Sequence, residues 1–235
     1  MRKRLLLLFA ATCLSLAFGD PITCMPDTAA HYIANRSCME SPFILKGFSW
    51  SSTSGPDYVQ ITPDQVWLSP PVDGTFGLGF GAVPGNPNPF NIGPHQKVFA
   101  TLDYIIDPRP PILKGASLVL NANSPTGGGF AIVTAYVCPI ATGLPVCPPG
   151  ELPPLVVQDF GHGDPRNVFF ATEDFPNATN FVDVRITIDL QANNGTSEIA
   201  GAVFGTNAIP EPASAGLAAA ACGILLVFRR RLRRF

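Results

Sequence analysis

The stretch Phe181-Val182-Asp183-Val184-Arg185-Ile186-Thr187-Ile188-Asp189-Leu190 alternates apolar and polar residues almost without a break. Successive side chains of a β-strand point to opposite faces, so Val182, Val184, Ile186, Ile188 and Leu190 share one side, with Asp183, Arg185, Thr187 and Asp189 on the other. This is the pattern of a strand in a sheet with one buried and one wet face. Asn193-Asn194-Gly195 and then Ile199 to Phe204 follow, which together read as a β-hairpin.

Outward from this strand, similar short runs predict strands over 43–51, 65–68, 75–83, 97–106, 117–122, 130–138, 155–160 and 167–171. No stretch of ten or more residues keeps a 3.6 period, and the 25 Pro and 22 Gly among 235 residues supply turns and exclude long helices. The expected fold class is therefore all-β, a jelly-roll-like β-sandwich. In the run 75–83, Phe76, Leu78 and Phe80 alternate with Gly77, Gly79 and Gly81. A closely packed strand is the expected explanation, and a bare face open to a ligand is the functional alternative. Residues 84–94 and 139–154 are expected as stiff, Pro-rich loops.

Charge is distributed in blocks. Eight of the 15 Lys and Arg residues sit at the two ends, so 7 basic residues face all 17 acidic ones over 20–212, a net charge of −10. Such a body excludes nucleic acid as a partner, because phosphate binding needs a basic surface. Of six cysteines, Cys13 and Cys222 fall in the apolar ends. The remaining four, Cys24, Cys38, Cys138 and Cys147, are expected to form two disulfides, with Cys24-Cys38 and Cys138-Cys147 the favoured pairing among three. Those pairs are too local to join two sheets, unlike the bridge of an immunoglobulin domain. They also lack the Cys-x-x-Cys spacing of a zinc site.

Residues 1–19 have the layout of a secretory signal peptide: Arg2-Lys3-Arg4, an apolar run from Leu5 to Phe18, and cleavage expected after Gly19. At the other end, Ile209-Pro210-Glu211-Pro212 precedes sixteen uncharged residues, 213–228, and then Arg229, Arg230, Arg231, Arg233 and Arg234. A helix over 213–228 would be about 24 Å long against a hydrocarbon core of about 30 Å, a marginal span. The arginines would resist translocation and remain cytoplasmic.

Pro-Glu-Pro, a short apolar helix and a terminal arginine cluster, in that order, resemble the PEP-CTERM sorting signal of exopolysaccharide-producing Gram-negative bacteria. The resemblance covers residues 209–235 and departs mildly at Ile209, where Val is common. It implies recognition by an exosortase, a membrane-embedded cysteine protease, with passage through the inner membrane to the cell surface or extracellular matrix. An ordinary stop-transfer anchor is the plainer alternative. The resulting organisation is a signal peptide (1–19), a β-sandwich ectodomain (20–208) and a sorting tail (209–235) with a transmembrane helix at 213–228.

No catalytic constellation stands out. His31, His95 and His162 are far apart in sequence, and no Gly-x-Ser-x-Gly elbow is present. Asp159-Phe160-Gly161-His162-Gly163-Asp164 is the one cluster in which two carboxylates and an imidazole would meet at a turn, as a metal site or as a solvated turn. Trp50, Tyr58, Trp67 and Tyr104 are candidates for a sugar-stacking platform, or simply for packing. No cofactor and no metal is expected. The function expected is a non-catalytic surface or matrix protein; the alternatives are a module binding extracellular polysaccharide and a secreted hydrolase.

Overall fold

A computed structural model of the protein describes residues 22–40, 43–71, 76–108, 112–123, 125–138, 152–179 and 181–209. Gly19, Cys147, Pro210, Glu211, Pro212 and the five terminal arginines lie outside the described residues, as do the signal and transmembrane helices. Among the described residues, no helix is long and apolar enough to cross a membrane.

Among the described residues, fourteen strands and one short α-helix, with a 3-10 turn at Pro63–Gln65, follow the order β1 (Ile22–Thr23), β2 (Asp27–Thr28), α1 (Ala29–Asn35), β3 (Ser37–Glu40), β4 (Phe43–Ser52), β5 (Val66–Ser69), β6 (Phe76–Ala82), β7 (Asn91–Ile92), β8 (Lys97–Pro108), β9 (Ile112–Asn123), β10 (Phe130–Cys138), β11 (Leu155–Asp159), β12 (Phe170–Thr179), β13 (Val182–Gln191) and β14 (Ser197–Ile209). They build a β-sandwich. The first sheet has the order β1-β3-β4-β8-β13-β10-β11 and the second β12-β9-β14-β6-β5-β2, with β7 paired onto β14. All neighbours are antiparallel except β1 and β3.

The strand that opened the sequence behaves as its alternation requires. Val182, Val184, Ile186, Ile188 and Leu190 are buried and Asp183, Arg185, Thr187 and Asp189 are not. Flanking strands contribute Ala131, Val133 and Ala135 from β10 and Ala100, Leu102 and Tyr104 from β8; Leu78, Phe80, Leu118 and Phe204 face them from the second sheet. Each large apolar side chain so buried contributes about 1.5–3 kcal/mol.

Two expectations fail. Residues 181–204 are not a hairpin: β13 lies in the first sheet and β14 in the second, so Asn193-Asn194-Gly195 carries the chain between layers. The turn is held by another inter-sheet connection, between β9 and β10, rather than by its own strands. Asn194 N–H donates to Gly127 O (3.2 Å) and Thr126 N–H to Thr196 O (2.9 Å). A Cβ at Gly127 would lie 2.5 Å from Gly195 N, so only glycine permits the approach. Residues 84–94 are not merely a surface loop either. They drop Phe90 and Ile92 into the core, with the Phe90 ring 5.6 Å from that of Phe80.

The Cys24–Cys38 disulfide forms as expected, with Cα atoms 4.9 Å apart. It ties the segment after β1 to β3 in the same sheet and so does not bridge layers. Cys138 is also disulfide-bonded. Short α1 sits over this end, capped by Thr28, and buries Ala29 and Tyr32.

Candidate functional site

The outer faces of the two sheets differ in chemistry. On the first, Ser51, Thr101, Thr187 and Thr134 stand directly opposite one another on four adjacent strands. Beside them the Arg185 guanidinium meets Asp103 at 2.6 Å and Lys46 pairs with Asp107. This is an ordinary wet face.

On the second sheet, two cross-strand rows carry another pattern. One runs Trp67, Gly81, Gly201, Asn121 across β5, β6, β14 and β9; the next runs Ser69, Gly79, Val203, Val119 and on to Phe170 of β12. Two adjacent strands thus present backbone where side chains would stand, and a groove of about 210 Å³ forms over them, walled by Trp67 and Asn121. At about 4.8 Å per strand, those walls rise from strands roughly 14 Å apart. Among the described residues, no charged side chain lines the groove.

The glycines are there for packing as well. A Cβ at Gly77, whose φ is +155°, would fall 2.2 Å from Phe204 O. At Gly79 the nearest atoms would be Val203 Cγ2 at 3.3 Å and Ser69 Oγ at 3.4 Å, a tight but tolerable fit. Gly77 is therefore demanded by the backbone of β14, whereas Gly79 keeps the groove floor low.

A half-buried carboxylate lies between this sheet and the first. Glu40, on β3 of the first sheet, accepts a hydrogen bond from Gly77 N–H at 3.2 Å. Burial pushes its carboxyl up to about 7, and the Gly77 N–H only partly opposes this. Burial, with the Glu40 charge second, also raises the hydroxyls of Tyr32 and Tyr104 above the usual phenol range.

The cluster at 159–164 does not converge. Asp159 ends β11 pointing inward, fully buried, with Oδ1 accepting from Gly161 N–H at 2.8 Å. Asp164 faces out onto Arg166 and His162 is exposed, so the acids and the imidazole are separated by the wall of the sandwich. Asn167 braces the turn by donating to Gly161 O and accepting from Phe160 N–H, both at 2.8 Å. Among the described residues, no group of three His, Cys, Asp or Glu side chains is placed to hold a metal ion.

Nor do the four aromatics form one platform. Tyr104 is in the core, stacked on Phe48 at 5.9 Å, and the Trp50 indole N–H donates to Ile61 O while its ring packs on the core. Tyr58 is 37 % exposed, and Trp67 alone reaches the groove. His31 lies 3.4 Å from Asp27 beside a second hollow of about 440 Å³ near the disulfide; His95 belongs to the inter-sheet turn, donating its N–H to Asn193 O. Of this lining the sequence singles out Gly79, Phe80 and Gly81, chiefly as a closely packed strand, and Trp67 as one of four candidate stacking aromatics. Ser69, Val119, Asn121, Gly201, Ala202 and Val203 join it only through strand register, for which no local spacing is a signal.

No protein-family model and no curated protein matches the chain. Among solved structures, it is similar to Trichoderma harzianum endoglucanase 3 from family GH12, at 11 % identity over 72 % of this chain and 100 % of that one. The TM-score is 0.23, too loose an overlap to carry any argument about this chain.

Proposed function

We propose that the protein is exported and delivered to the cell surface or extracellular matrix through its PEP-CTERM-like tail, and that its β-sandwich is a non-catalytic body. The observation that carries the address is the oxidised Cys24–Cys38 pair, since such staples persist in oxidising, extracytoplasmic compartments. A jelly-roll-like arrangement of the two sheets, a signal helix over 1–19 and a transmembrane helix over 213–228 complete the reading. An exosortase is the processing partner, acting at Pro210-Glu211-Pro212 while the arginine cluster holds the tail at the inner membrane.

A binding role for the body is favoured over the hydrolase alternative by the groove. Glycoside hydrolysis needs two carboxyl groups flanking the bond to be cut. Among the described residues the groove lining contains none; Asp103, Asp107 and Asp164 are committed to cations elsewhere.

The test is replacement of Pro210, Glu211 and Pro212 by alanine in a bacterium carrying an exosortase. Export is expected to persist while processing stops, so that the chain accumulates in the inner membrane with its tail attached, seen by mass measurement of the fractionated protein. Unchanged processing would sink the exosortase reading.

A further inference from the structure

We propose that the groove on the outer face of the second sheet binds a neutral polysaccharide chain, with the Trp67 indole stacked on a sugar ring and Asn121 and Ser69 meeting its hydroxyls. The inference rests on the reading of the body as a non-catalytic binding module and supplies its ligand class.

An antiparallel sheet with a solvated face normally turns polar residues outward, as the first sheet mostly does, Phe99 apart. The second instead exposes Phe170 (58 %), Val119 (40 %) and Val203 (37 %) in one row, beside a trough floored by backbone. Clustered apolar surface of this kind, with a polar rim, marks a place where something docks.

Charge selects the occupant. The segment 20–212 carries a net −10, which repels an anionic polymer. A cationic ligand would find no carboxylate among the described residues of the lining. A second copy of this chain would bring another −10 and, in a two-fold contact, would have to fill a concavity with its own concave face. A neutral sugar polymer has neither problem. Its rings carry apolar C–H faces that suit an indole and the two valines. Its hydroxyls need neutral groups that both donate and accept, which an amide and a hydroxyl provide. Gly81 and Gly201, the bare positions between Trp67 and Asn121, let a flat ring approach the sheet backbone, which a side chain at either position would prevent.

The experiment uses the whole chain in a detergent without a sugar headgroup, titrated calorimetrically with neutral glucan, xylan, mannan and galactan hexasaccharides and with acidic hexagalacturonate. At least one neutral oligosaccharide is expected to bind and the acidic one is not. Trp67→Ala is expected to weaken binding at least tenfold. Val203→Asp, a substitution at an exposed position that leaves no cavity, is expected to do the same with the thermal midpoint retained. Phe99→Ala, on the outer face of the other sheet, should leave affinity unchanged.

The proposal is overturned if no neutral oligosaccharide binds, if binding survives both groove variants, or if sedimentation shows self-association that Val203→Asp abolishes, which would assign the face to a second copy. Release of shorter oligosaccharides would instead overturn the non-catalytic reading and leave the groove as the binding site. Mislocalised protein that still binds would overturn only the address.

Discussion

Glu40 and Gly77 join the two layers of the sandwich through a carboxylate that accepts the N–H of a strand in the opposite sheet, at 3.2 Å. Glu40 is half-buried there, and partial removal from water makes its carboxylate costlier to ionise.

The consequence is a pH dependence of defined sign. The folded chain holds the Glu40 proton up to about pH 7, against an ordinary value of 4.5. Because the folded state binds more protons than the unfolded one between those values, stability contributed here is full below pH 4.5 and declines as pH rises toward 7. Glu40→Gln keeps an acceptor for Gly77 and removes the titration. The variant is expected to gain about 1–2 kcal/mol over the wild type at pH 8, a figure discounted for partial exposure, and nothing at pH 4. Urea unfolding at the two pH values measures the difference; an equal effect at both would refute the assignment.

The disulfide closes a separation of 14 residues, Cys24 to Cys38, which in the chain-entropy description contributes about 3 kcal/mol. The double variant Cys24→Ser, Cys38→Ser should therefore lose stability on that order, with protection from hydrogen exchange reduced first in β1, α1 and β3. A loss below about 0.5 kcal/mol would show that packing alone holds this edge.

The alternation in β13 predicts opposite outcomes at neighbouring positions. Ile188 is fully buried and Thr187 looks outward, so Ile188→Ala should cost about 2–5 kcal/mol through the cavity it leaves, and Thr187→Ala less than about 1 kcal/mol. Equal costs in chemical denaturation would contradict the packing described.

Two glycines of β6 should also part company. Gly77→Ala drives a methyl to 2.2 Å from Phe204 O and is expected to cost about 3 kcal/mol or more, or to prevent folding. Gly79→Ala meets atoms at 3.3–3.6 Å and should cost about 1 kcal/mol or less. Thermal melts of the pair separate a backbone requirement from a groove floor.

Much of the sandwich was legible because strand alternation is local. Residues 130–138 and 43–51 read as strands within one residue of their bounds, since flanking Gly and Pro mark where pairing stops. β12 differs from the expected strand over 167–171: Asn167 is spent bracing the turn, and the strand runs Phe170–Thr179, its pairing with β9 broken between Asp174 and Thr179, where Pro176 sits. A proline is tolerated there because β12 is an edge strand. β3 and α1 escaped notice because four strand residues and seven helical residues are too few to show a period.

Read alone, the chain gives the all-β class, the inward face of β13 and the Cys24–Cys38 staple, because each follows from spacing within one short segment. Which strand pairs with which was decided only in the folded molecule. Asn193-Asn194-Gly195 has the composition of a hairpin turn, yet β13 is flanked by β8 and β10 while β14 is flanked by β6 and β9, so the turn had to cross between layers. The groove arose the same way. Trp67, Gly81, Gly201 and Asn121 span 135 positions of the chain and meet because long-range register, set by the packing of two inner faces, lines them up across four strands.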